Sequence, residues 1–157
     1  MLSSILSAQT CAECKNCCVF EENSAWELPT FSIAAAARLV DHPDYIITKE
    51  NDRYRITLPY DSNHAAQPCP FLNPQTGCTL PPDDKPFACS IWPIRVMRDP
   101  DSGIPRLALY QGCSGVPAQQ HPALDALLAD GLRDRIFAEA QADPSLILPY
   151  HPNYRFL

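Results

Sequence analysis

The sequence predicts a small, irregular α+β fold with two or three helices and short β-hairpins, and three observations lead there. Two stretches carry helical character, Phe31–Asp41 and Ala123–Gln141. Two pairs of β-prone runs flank polar turns. Seventeen prolines among 157 residues keep every element short. With no Gly/Ser-rich or charge-run linker, residues 1–157 read as a single domain, with a motif core at 11–113 and a C-terminal helix and extended tail at 121–157.

Met1–Gln9 is mildly apolar but lacks a positive n-region and a long apolar h-region, so it does not read as an export signal. A polar segment, Cys11–Cys18, follows and reads as a loop. Thr30 or Ser32 is positioned to cap the first helix, Phe31–Asp41, whose alanine run Ala34–Ala37 favours helix and which stops before His42-Pro43. Tyr45–Thr48 and Arg53–Leu58 flank Glu50-Asn51-Asp52 as a first hairpin. Pro93–Arg98 and Ile104–Tyr110 flank Asp99-Pro100-Asp101-Ser102-Gly103 as a second, with proline presetting the turn and glycine free to take positive φ. Between them Cys69, Cys78 and Cys89 lie on turn-rich chain. Leu124, Leu127, Leu128, Leu132 and Ile136 recur at helical spacing along Ala123–Gln141, and the proline-broken tail Ser145–Leu157 reads as extended chain packed on the core.

Acidic residues outnumber basic ones 18 to 12 and no segment gathers Lys and Arg, which argues against nucleic acid as a partner. No stretch reaches membrane-spanning length, so a membrane is not expected either and the expected location is the cytoplasm. In a reducing compartment eight cysteines are poorly explained by disulfides, which leaves metal ligation as the better reading.

Cys11, Cys14, Cys17 and Cys18 read C-x2-C-x2-C-C, a spacing that lets three thiolates converge on one centre. A C-x2-C-x2-C triplet also opens the bacterial ferredoxin run, which a distant Cys-Pro completes, and Cys69-Pro70 supplies one here. Zinc accepts any four of these thiolates in a tetrahedron, so an iron–sulfur cluster, [4Fe–4S] first, and Zn2+ both remain open. The first grouping is Cys11, Cys14, Cys17 and Cys69, with Cys18, Cys78, Cys89 and Cys113 around it or as a second site. Cys113, isolated beside Gly112, reads equally well as a small apolar core residue. Lys85, four residues before Cys89, is placed to offset thiolate charge or simply to be solvated. His42, His64, His121 and His151 sit in loop-like sequence and read as exposed or capping groups, and Trp26 and Trp92 as core or lid aromatics.

Taken with Cys69-Pro70-Phe71-Leu72, Gly77-Cys78-Thr79-Leu80, Lys85-Pro86-x2-Cys89 and Gly112-Cys113, the first group resembles the C-x2-C-x2-C-C cysteine-cluster family, whose members are described as zinc- or iron-chelating domains. The resemblance covers Cys11 to Cys113 and implies metal chelation by Cys11, Cys14, Cys17, Cys18, Cys69, Cys78, Cys89 and Cys113. The cysteine pattern is also similar to that of flagellin lysine N-methylase, a relative with an iron–sulfur cluster, and this implies iron–sulfur ahead of zinc. The sequence departs from the commonest family pattern, Arg-Pro-x2-Cys-Arg, with Lys85 and Ser90 in place of the arginines; Trp92-Pro93 supplies the aromatic-proline pair.

A methyltransferase-related activity is less well supported, because five scattered glycines supply no nucleotide-cradling loop. No G-x4-G-K-[ST] loop, H-E-x2-H helix or Ser/His/Asp arrangement is present, so no catalytic residue is assigned. Three roles follow from a thiolate centre: a cluster in redox or accessory work, a zinc-stabilised interaction module, or a metal-handling protein. The apolar stretch Ile147–Leu157 is a candidate dock for a protein partner.

Overall fold

The computed structural model describes residues 2, 4–39, 46–50, 52–58, 66–116 and 121–157, and it is a mixed α+β fold. The chain divides into two compact units, one of residues 11–90 and the other of residues 1–10 with 91–157.

Helix α1, Ala8–Cys14, runs across that division. Ser7 caps it: the Ser7 hydroxyl accepts from the Thr10 N–H at 3.0 Å. Cys11 and Cys14 therefore stand on a helix, where a loop was expected, three residues apart and on one face. Lys15 ends the helix in the left-handed region, φ 57°, with its N–H on the Cys11 carbonyl at 3.0 Å. A 3-10 turn, Asn16–Cys18, then leads into strand β1, Val19–Glu21.

Strand β2, Thr30–Ser32, is followed directly by helix α2, Ile33–Ala37. The expected helix from Phe31 to Asp41 is thus shorter at both ends; Asp41, like His42 and Pro43, lies outside the described residues. The reason at its start is pairing. Phe31 sits opposite Tyr54 of the strand Arg53–Thr57, and only 1 % of its surface remains exposed, an exchange that local helix propensity cannot match. Ser32, not Thr30, is the cap, accepting from the Ala35 N–H at 3.2 Å. Strands β3, Ile46–Glu50, and β4, Arg53–Thr57, form the first hairpin with Glu50 opposite Arg53, and the sheet order is β2-β4-β3. Tyr45 and Asn51 of that expected hairpin lie outside the described residues.

Strand β5, Ala66–Pro68, pairs antiparallel with β1. Strands β6, Leu72–Asn73, and β7, Gly77–Cys78, make a small hairpin whose turn is held by the Asn73 carboxamide oxygen, which accepts from the N–H groups of Gln75 and Thr76 at 2.8 and 2.9 Å. Gly77 has φ 84° and closes it. Helix α3, Phe87–Ser90, ends this unit; Arg38, just past α2, donates to Asp84 in the turn before α3. Phe20, Leu28, Phe31, Ala35, Ala36, Ile56, Leu58 and Phe71 form its core, with Cys69 packed against them.

In the second unit, strands β8, Ile94–Arg98, and β9, Pro105–Tyr110, form the expected hairpin, Arg98 opposite Pro105. The long helix expected over Ala123–Gln141 is instead helix α4, Pro122–Leu127, and helix α5, Arg133–Ala142, joined by a π-type turn, Leu128–Leu132. Gly131 at φ 89° breaks it. The apolar stripe survives the break, with Leu124, Leu128, Leu132, Ile136 and Ala140 all buried. His121 caps α4, its Nδ1 accepting from the Leu124 N–H at 3.1 Å, and His151 accepts from the Asn153 N–H; His42 and His64 lie outside the described residues. The tail packs in extended form past a 3-10 turn at Pro144–Leu146. Strand β10, Ile147–Pro149, runs parallel to β8, and β11, Tyr154–Phe156, antiparallel to β9, giving the order β10-β8-β9-β11. Trp92 is a core aromatic here, 5.0 Å from Tyr110 and edge-on to Tyr154, with the Arg95 guanidinium over its ring; Trp26 is half-buried.

Candidate metal centre

None of the eight cysteines is in a disulfide, and seven of them, Cys11, Cys14, Cys17, Cys18, Cys69, Cys78 and Cys89, belong to the unit of residues 11–90. Cys113 belongs to the other unit and is buried at 8 % exposure, the setting of a small core residue.

The seven are positioned by different devices. The 3-10 turn brings Cys17 and Cys18 side by side, with their sulfurs 3.6 Å apart. The Cys69 N–H donates to the Cys18 carbonyl at 2.7 Å, one residue beyond the β1–β5 register of Val19 with Pro68. On β7, Cys78 faces Leu72 across the small hairpin, and its neighbour Gly77 approaches Ala12 of α1 so closely that an added Cβ would meet the Ala12 methyl at 3.6 Å. Helix α1, which carries Cys11 and Cys14, therefore lies against the hairpin that carries Cys78. Cys89 stands in the single helical turn of α3. Six of the seven are half-buried and Cys78 is exposed.

These thiols feel one another. Cys18 is pushed well above the usual thiol range, first by its hydrogen bond with Cys17, then by burial and by the charges of Cys17, Cys69 and Cys89. Cys69 is pushed up to about 11, first by burial, which a hydrogen bond from the Phe71 backbone partly opposes, with Cys78 and Cys17 adding to it. Ionisation of Cys18 and Cys69 is disfavoured here. In kind the donors fit a thiolate-bound metal: soft, reduced, half-buried and drawn from four segments of chain. Among the described residues, however, no group of three or more His, Cys, Asp or Glu side chains is placed so that it could hold a metal ion. Lys85 lies half-buried in the turn before α3.

The structure brings Cys17, Cys69 and Cys89 within electrostatic reach of Cys18, whereas the expected first grouping of Cys11, Cys14, Cys17 and Cys69 left Cys18 and Cys89 outside it. The signal for Cys18 was its adjacency to Cys17; for Cys89 none was local. Among the described residues no helix is long and apolar enough to cross a membrane. Comparison with known protein families, with curated proteins and with solved structures returns no match.

Proposed function

We propose that this chain is a cysteine-thiolate metal protein whose centre is held by the unit of residues 11–90. The observation that carries the reading is a gathering of thiols from separate segments: the Cys17 and Cys18 sulfurs are 3.6 Å apart, the Cys69 N–H lies on the Cys18 carbonyl at 2.7 Å, and Cys89 and Cys78 lie within electrostatic reach of Cys18 and Cys69 respectively. Packing alone does not require five cysteines there, and all of them are reduced. A bound metal supplies the positive charge that lets neighbouring half-buried thiols ionise, and its binding energy becomes folding energy for a unit built from strands of two to five residues.

The resemblance of the cysteine pattern to the cysteine-cluster family favours an iron–sulfur centre with a redox or accessory role. A second reading, zinc in a structural or metal-handling module, is favoured by the close approach of the Cys17 and Cys18 sulfurs. The cytoplasm, as a reducing compartment, suits either. The test is purification of the chain without oxygen or added metal, with iron, zinc and acid-labile sulfide measured per chain beside the visible spectrum. Iron with sulfide and broad visible absorption supports the first reading; colourless protein with zinc supports the second. A folded chain that holds no metal and takes none up overturns both.

A further inference from the structure

Cys17 and Cys18 are consecutive, and the 3-10 turn Asn16–Cys18 sets their sulfurs 3.6 Å apart with neither in a disulfide. Both are half-buried, and the residues on either side of them, Asn16 and Val19, are exposed, so a small solute can reach the pair. Closing the gap to an S–S bond of about 2.05 Å takes side-chain rotation and a local distortion of the turn. The bond so formed is unlike a structural one. The peptide between the two residues is trans, which holds their Cα atoms about 3.8 Å apart, short of the about 4.4 Å at which ordinary disulfides begin. A disulfide under that constraint is strained and readily reduced again, as labile and regulatory bonds are. The strain falls on a junction: the Cys18 N–H donates to the Lys15 carbonyl at 2.8 Å, and the Cys18 carbonyl accepts from the Cys69 N–H at 2.7 Å.

From this geometry we propose that Cys17 and Cys18 form a reversible dithiol–disulfide couple, oxidised by a low-molecular-weight disulfide of the glutathione class, whose closure loosens the main-chain link from Cys18 to Cys69. One thiolate of the pair attacks the small disulfide, a mixed disulfide forms and one small thiol leaves. The neighbouring sulfur then loses its proton to solvent and attacks the mixed disulfide, forming the Cys17–Cys18 bond and releasing the second small thiol. Two cysteine thiols are oxidised, and one small disulfide is reduced to two thiols. The couple needs no metal and stands apart from the proposed metal-binding reading.

The test uses the full chain as purified, equilibrated without oxygen in glutathione buffers that run from reduced to oxidised, then quenched with acid and alkylated with iodoacetamide. After tryptic digestion the peptide Asn16–Arg38, whose only cysteines are Cys17 and Cys18, is read by mass. The expected result is loss of both labels together, with the peptide lighter than its reduced form by two hydrogens, in at least half of the chains at the oxidised end. Dithiothreitol restores the doubly labelled peptide. Hydrogen exchange at the Cys69 N–H is faster in the oxidised chain, and Cys17→Ser, which cannot close the bond, shows no such change. A peptide that stays doubly labelled throughout, one that stops at the mixed disulfide, one crosslinked to another cysteine, or unchanged exchange at Cys69 overturns the inference. Metal content measured on the same preparation keeps the two readings apart: a chain that closes the bond but binds no metal sinks the metal reading alone, and one that holds metal but never closes the bond sinks the couple alone.

Discussion

The carbonyl of Cys18 accepts a hydrogen bond from the N–H of Cys69 at 2.7 Å, so two cysteines far apart in sequence are held side by side by main chain alone. A side-chain change at either position leaves that link intact. For Cys69→Ser we expect metal content to fall while the strands persist. The hydroxyl packed against the Phe20–Phe71 core costs about 1–3 kcal/mol of stability in the metal-free chain. Metal analysis and urea unfolding on the same preparation check both halves.

Cys113→Ala behaves in the opposite way. Its thiol is buried in the other unit, so the expected loss is about 1 kcal/mol of stability with no change in metal per chain. Metal loss in this variant would place Cys113 among the ligands.

Asp99 gives a pH dependence. Its carboxylate accepts from the Arg106 guanidinium at 2.8 Å and from the Ser102 and Asp101 N–H groups at 3.0 Å, which together hold its pKa at about 2, below the ordinary 3.8. A lowered pKa means stability that is present above the ordinary value and lost as pH falls from 3.8 through about 2. Asp99→Asn should therefore be less stable than wild type near neutrality, with the gap closing across that window. Urea midpoints measured from neutral pH downward test this; a gap unchanged at the acid end refutes it.

Lys15 occupies the left-handed region at φ 57°, which costs a residue with a Cβ roughly 1–2 kcal/mol. Lys15→Gly relieves that strain and should raise the unfolding midpoint by a fraction of it, since glycine loses more chain entropy on folding. Thermal unfolding of the two chains under matched conditions reads the sign.

Gly112 has no such freedom to give. A Cβ there would stand 2.7 Å from the Tyr110 ring, which is itself packed against Trp92 and Tyr154. The ring cannot swing aside cheaply, so Gly112→Ala should cost about 1–3 kcal/mol and perturb tryptophan fluorescence. A variant as stable as wild type would show that the aromatic group yields.

What the sequence made legible was whatever its neighbours decide. The hairpin around Asp99–Gly103 was readable because proline and glycine preset the turn, and the stripe from Leu124 to Ile136 because burial follows the helical period. The helix through Cys11 and Cys14 went unread although Ser7 announced its cap, and Gly131 was the visible mark of the break between α4 and α5. Phe31 was lost to a strand by pairing with Tyr54, a partner no local window contains. The site divides in the same way. Spacing shows Cys11 to Cys18 as one group, but only the β1–β5 ladder brings Cys69 to Cys18, and only the packing of this unit brings Cys89 near.

The arrangement of strands also sets an order of events during synthesis. All seven cysteines of the first unit have been made by Ser90, whereas the sheet β10-β8-β9-β11 gains its outer strands only with Ile147–Pro149 and Tyr154–Phe156. At about 5–20 residues per second, the ribosome takes seconds to cover that interval. For those seconds the nascent chain presents its thiols ahead of a half-built sheet, so that on the proposed metal-binding reading an ion would meet the cysteines of residues 11–90 before the second sheet is complete.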